Sequence, residues 1–145
     1  MEQNIRDFFE AYARRFNDSL RPGGRVDLRG VIDSFAPYFV QSTPVGVQGG
    51  RNGLLFRWMV PRGFARYRRI GTKCMLVRSL EVTELDPMHA AAKVGWHSEY
   101  VKKSGEAVAI DFDVIYLLRV ADDHPKIFGY ITGDEEKALR EHGVL

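Results

Sequence analysis

The chain has 145 residues, 45% of them hydrophobic, and a formal charge of +2, which suffices for one domain, 1–145, with its own core and no need of metal or disulfide support. Its sole cysteine, Cys74, excludes an internal disulfide, and no apolar run approaches the roughly 20 residues that cross a bilayer. The opening MEQNIRDFFEAY has no basic segment followed by an apolar one, so the expectation is a cytoplasmic protein and no membrane protein, any membrane contact being peripheral.

Taken in chain order, residues 2 to 18 read as a helix whose stripe is Ile5, Phe8, Phe9, Tyr12 and Phe16, at helical spacing. RPGG at 21 to 24 breaks it. A shorter helix is expected from Asp27 to Phe35, stopped by Pro37, and YFVQS then reads as β. Residues 52 to 69 look helical again, with Pro61 and Gly63 expected to split or kink them.

From residue 73 the period changes. The segments 73 to 85, 90 to 102, 107 to 120 and 126 to 132 are rich in Val, Ile, Leu and aromatics, and DPMH, KSGE and DDHP separate them, which predicts an antiparallel meander of four strands. The tail GDEEKALREHG carries an N-cap in Asp134, acids in its first turn and a stop at Gly143, a short closing helix. Helices first and a curved antiparallel sheet afterwards is the α+β pattern.

Charge is unevenly spread. No Asp or Glu occurs from residue 34 to 80, while 51 to 78 carry eight Lys and Arg. FRWMVPRGFARYRR could track a nucleic-acid backbone or attract an acidic ligand. The reading preferred here is a wet helix face, because Arg62, Arg66 and Arg69 follow i, i+4, i+7 opposite Phe64 and Tyr67 and no nucleic-acid-binding motif accompanies them. No nucleic-acid partner is expected.

AIDFDVIYLLRV, residues 109 to 120, sets Asp111 and Asp113 two apart, which is either an acid/base pair or an ordinary polar face. In strand alternation Val108, Ile110, Phe112, Val114, Tyr116, Leu118 and Val120 share one face, and the two Asp lie on the other with Ile115, Leu117 and Arg119. A three-residue loop, Lys103-Ser104-Gly105, sets Trp96 across from Phe112 and His97 across from Asp111, with Ala92, Val94, Trp96, Ser98 and Tyr100 on the helix-facing side. A two-residue loop would reverse that. In the first register the Asp pair lies away from the helices and serves cross-strand pairing with His97 or basic groups, or a subunit contact.

FFEAYARRF, FAPYFVQSTPVG and YLLRVADDHPKIFGYI together resemble the nuclear transport factor 2-like (NTF2-like) superfamily of cone-shaped α+β domains, most of all its bacterial members related to the SnoaL-like polyketide cyclases. The resemblance spans nearly the whole chain and specifies fold more than activity. It implies a helix-lined cavity over the concave side of the sheet and pairing of two copies through the sheet. Ketosteroid isomerases of the superfamily place their oxyanion-hole tyrosine on Tyr12. The protonated aspartate falls on Tyr116, and the general base, an aspartate before Pro-x-Gly, falls on Thr43. Thr43 cannot take a carbon-bound proton near neutral pH, so ordinary ketosteroid isomerase activity is not expected.

The candidate pocket is then Tyr12, Thr43, Trp58, Trp96, Ser98, Phe112, Val114 and Tyr116, with Tyr12 and Tyr116 as candidate catalytic phenols. Such a lining suits a flat, mostly apolar molecule carrying one or two oxygens, although Tyr12 read alone is equally a core aromatic. His89 and His97 are weaker candidates. No pair among the four histidines has metal-ligand spacing, and no P-loop, GxGxxG, GxSxG or HExxH occurs, so neither metal nor cofactor is expected. Two functions stand open: a small-molecule pocket, as in a cofactor-independent isomerase, cyclase or dehydratase, and a non-catalytic NTF2-like dimerisation or interaction module.

Overall fold

The computed structural model describes all 145 residues. The N-terminal stripe forms α1 (Glu2–Leu20), which buries Ile5, Phe9 and Ala13. A short α2 (Leu28–Asp33) follows, with the Asp27 side chain accepting from Gly30 N. Next come β1 (Phe35–Thr43), β2 (Gly46–Arg51) and α3 (Leu54–Arg69). The second half is the meander β3 (Thr72–Asp86), β4 (His89–Val101), β5 (Ala107–Ala121) and β6 (His124–Ile131), closed by α4 (Glu135–Glu141). Asp134 caps α4 through Lys137 N.

Three features depart from the sequence reading. β2 was not anticipated: all of its residues are exposed, so no alternation of apolar and polar marks it. α3 runs unbroken through Pro61, because Pro61 and Arg57 are both exposed and water can take the Arg57 carbonyl that the proline leaves unbonded. The sheet, in the order β2-β1-β6-β5-β4-β3, is antiparallel except that β1 lies parallel to β6.

The β4–β5 register is the one that the three-residue loop requires, with Trp96 opposite Phe112 and His97 opposite Asp111. Gly105 takes the left-handed φ of 89° in that loop, where a side chain would be strained. The β5–β6 turn uses Asp122 and Asp123, both at positive φ, as a two-residue primed turn requires. Irregularities in the β3–β4, β5–β6 and β1–β6 pairings add local twist and bend the sheet.

The core lies between α1 and the concave face. Ile5 and Phe9 pack with Ala90, Ala92, Val94 and Trp96 of β4, with Val114, Tyr116, Leu118 and Val120 of β5, and with Ile127 of β6. A smaller cluster, Tyr100, Ile110 and Leu139, seats α4 at the other end of the sheet. Asp111 and Asp113 are on the outer face: Asp111 lies 2.6 Å from His97 Nδ1, and Arg78 reaches Asp111 at 3.8 Å and Asp113 at 3.5 Å. They are cross-strand ion partners, remote from the helix-covered side.

Candidate functional site

Between α1, the concave sheet face and α4 lies a cavity of about 300 Å³, at the small end of the range for small-molecule sites. Strand alternation supplies its floor: Trp96 from β4 and Phe112, Val114 and Tyr116 from β5 all point to the side that α1 covers. Tyr12 and Phe16 come from α1, Tyr67 from α3, Gln41 from β1, Tyr130 from β6, and Asp134 and Glu135 from the start of α4. Fourteen of its nineteen lining residues are hydrophobic, so each polar group in it has a large effect on what the space can hold.

Five of the lining residues are tyrosines. Trp96 is 1% exposed, and its indole N–H donates to Tyr116 Oη at 3.1 Å. That bond occupies an acceptor site of Tyr116 and leaves its own proton free to be donated. Tyr67 donates to Glu135 Oε1 at 3.0 Å. Tyr67 and Tyr116 thus hydrogen-bond side chains, whereas the hydroxyls of Tyr12 and Tyr130 have no partner within the protein. The Tyr12 ring lies beside those of Trp96 and Tyr116, at centroid separations of 6.1 and 6.4 Å, and Tyr130 stands 6.2 Å from Tyr116.

Burial, above all, raises the pKa of Tyr12, Tyr67, Tyr116 and Tyr130 above the ordinary phenol range, since a phenolate would lose its hydration there. All four therefore stay protonated near neutral pH and act as donors. The Glu135 carboxylate pushes Tyr67, Tyr100 and Tyr130 further up, which places its charge within electrostatic reach of all three. The arrangement can bind the oxygen of an otherwise apolar molecule through phenol protons, with the Glu135 carboxylate beside them and that of Asp134 engaged in capping α4.

Of the residues expected from the sequence, Tyr12, Trp96, Phe112, Val114 and Tyr116 meet in this cavity. Thr43, Trp58 and Ser98 do not line it. Thr43 lies beyond the last β1–β6 partner, Ser42, where its Oγ1 accepts from Val45 N; Gln41, two residues earlier, reaches the space instead. Trp58 is on the outward side of α3, 57% exposed, with the Arg62 guanidinium 3.8 Å from its ring centroid. Ser98 shares the face of Trp96 and Tyr100 but is too short to reach the cavity, and its hydroxyl is spent on Ile110 O at 2.8 Å.

Sequence reasoning missed Tyr67, Tyr130, Gln41 and Glu135. The helical spacing that set Tyr67 opposite the arginines was a usable signal. Glu135 carried none, because an acid in a first helical turn is ordinary. Tyr12, Phe16, Phe35 and Tyr67 also wall a second, adjoining space of about 200 Å³, lined besides by Phe56, Val60 and Phe64 of α3. No group of three His, Cys, Asp or Glu is placed to hold a metal ion, and no helix is long and apolar enough to cross a membrane.

Comparison with known proteins adds the family. No curated protein matches the chain. Among solved structures, an NTF2-like protein with a cystatin-like fold from Novosphingobium aromaticivorans superposes with a TM-score of 0.68 at 10% identity, covering 99% of this chain and 88% of its own. A ketosteroid isomerase-like protein from Erwinia carotovora atroseptica gives 0.58 at 14% identity, with 91% of each chain covered. An NTF-2 like protein of unknown function from Shewanella oneidensis gives 0.62 at 13%, covering 92% of this chain and 98% of its own. At these identities the likeness concerns the fold alone. Residues 2–135 match the family model described as NTF2-like protein (DUF6841), and with nearly the whole length matched, the chain belongs to the NTF2-like proteins of this family.

Proposed function

We propose that the cavity binds a small, flat, mostly apolar molecule with one or two oxygens, and that the protein acts on it as a cofactor-independent isomerase, cyclase or dehydratase. The observation that supports this is the lining itself: Tyr12 and Tyr130 have hydroxyls without protein partners, and Tyr116 keeps a free proton after accepting from Trp96. Three hydroxyl protons free to be donated, set in one mostly apolar space, favour an oxygen-bearing ligand. The proton acceptor in this reading is Glu135, a carboxylate where Thr43 has none to offer.

In such a step Glu135 takes a proton from the carbon beside a carbonyl. The C–H electron pair moves into a new C=C bond, the carbonyl oxygen becomes an enolate held by Tyr12 and Tyr116, and Glu135 returns the proton at the same or a conjugated carbon. Tyr67, donating to Glu135, orients the carboxylate.

The test uses β-naphthol as a binding probe, read by its fluorescence, and α-tetralone in D2O, whose α-hydrogens report enolisation by NMR. Glu135→Gln, which keeps an acceptor for Tyr67, should leave β-naphthol affinity nearly unchanged and slow exchange by roughly 100-fold or more. Binding without exchange in the wild type would remove the enzymatic half and leave the pocket; absence of binding by either compound would remove both. A second reading, a dimerisation module using the outer sheet face, is favoured by Leu76, 49% exposed in the His97 row. A doubled mass in light scattering with no ligand response would select it.

A further inference from the structure

α3 has two faces of different character. Phe56, Val60, Gly63, Phe64 and Tyr67 point inward and wall the smaller cavity. The opposite side begins with Leu54, Leu55, Trp58 and Met59, which are 87%, 69%, 57% and 53% exposed. Their spacing of i, i+1, i+4, i+5 gathers them into one strip over the first turns of the helix. The strip continues into cations, since Arg62 stacks on Trp58 at 3.8 Å and Arg66 and Arg69 follow on the same side.

Four large apolar side chains together in water mark a contact surface, and the charge around them decides its partner. No carboxylate lies between residues 34 and 80, against eight Lys and Arg in 51 to 78. Arg66 pairs with Glu136 and Arg68 donates to Ser19 O, but Arg57, Arg62 and Arg69 form no ion pair. A second copy meeting this face through its own would set cations against cations with no acid in the segment to offset them. A nucleic acid would satisfy the arginines but leave the apolar strip against phosphate and sugar.

We propose that α3 is an interfacial helix that lays its outer face on an anionic phospholipid surface. Leu54, Leu55, Trp58 and Met59 enter the boundary between headgroups and acyl chains, the indole of Trp58 sits at headgroup level, and Arg62 and Arg69, on the same side of the helix, meet lipid phosphates. The proposal does not depend on the cavity being occupied. It departs from the expectation of a wet helix face with no membrane contact, because sequence spacing placed the arginines correctly but could not show that four apolar neighbours stay uncovered.

The test is co-sedimentation of the full chain with vesicles of phosphatidylcholine alone and of phosphatidylcholine mixed with phosphatidylglycerol. Binding should be roughly tenfold or more tighter on the anionic vesicles and should weaken as salt screens the arginines. Brominated acyl chains should quench Trp58 fluorescence, since Trp96, the other tryptophan, is buried. Leu55→Asp and Arg62→Glu, both at exposed positions where folding is not at stake, should each lower anionic-vesicle binding roughly tenfold. Failure of the wild type to bind, or equal binding to both vesicle types, overturns the proposal. So does a dimer in light scattering that Leu55→Asp dissociates, or an oligonucleotide affinity that Arg62→Glu abolishes and Leu55→Asp does not.

Discussion

The two phenols that α1 and β5 bring to the cavity should respond differently to loss of their hydroxyls, although their rings are only 6.4 Å apart. In Tyr116→Phe the indole N–H of Trp96, 1% exposed, loses the acceptor it holds at 3.1 Å. A buried donor left unpaired costs about 1–3 kcal/mol. With a melting entropy near 2.1 cal/mol/K per residue, a chain of 145 residues loses about 3–10 °C in Tm for that cost. Tyr12→Phe removes a hydroxyl with no protein partner, so its effect on folding should stay within about 0.5 kcal/mol, under about 2 °C. Ligand affinity behaves the other way, both variants weakening β-naphthol binding by about 0.5–1.5 kcal/mol, the net value of one hydrogen bond. Thermal melts and fluorescence titrations of the same samples give both quantities. Adding Trp96→Phe to Tyr116→Phe should destabilise less than the sum of the single changes, because the unpaired donor is gone. A Tyr116→Phe protein that melts with the wild type, or a Tyr12→Phe protein that melts lower than Tyr116→Phe, would refute the assignment of structural and ligand roles.

Two further outcomes test how the frame around the site is held. Asn17 on α1 bonds both backbone groups of Met75, donating to its carbonyl at 3.0 Å and accepting from its N–H at 2.7 Å, so it closes the edge strand β3 as a neighbouring strand would; Asn17→Ala should lower urea stability by about 1–3 kcal/mol, and an unchanged midpoint would count against that role. His97 titrates above its ordinary 6.5, chiefly through its hydrogen bond to Asp111 and next through Glu99. A pKa raised by folding means that this interaction stabilises the fold fully below about pH 6.5 and fades as pH climbs through the higher folded value; NMR titration should show the raised value and its return toward normal in Asp111→Asn, whereas a wild-type His97 titrating at or below 6.5 would exclude the pairing.

The amino-acid order by itself determined the parts of this protein that depend on near neighbours. The stripe of α1, the change of period after residue 72 and the loop chemistry at Gly105 set the helix, the meander and the β4–β5 register, and through that register placed Trp96, Phe112, Val114 and Tyr116 on the inner face. A short turn and a two-residue period fix such pairings locally. Tertiary structure decided the rest. Ile127 is opposite Leu118 and Tyr130 is opposite Tyr116, three residues against two. Only the irregularity between Leu117 and Leu118 lets Ile127 enter the core while Tyr130 turns to the cavity; alternation along β6 alone cannot put both on one face. β2 has no buried side and exists because β1 offers it an edge. Glu135 reaches Tyr67 across 68 residues, and the strip from Leu54 to Met59 stays uncovered because the inward side of α3 is the one that α1 and the cavity accept. Each of these depends on where distant segments come to rest, a packing outcome to which no local period or spacing corresponds.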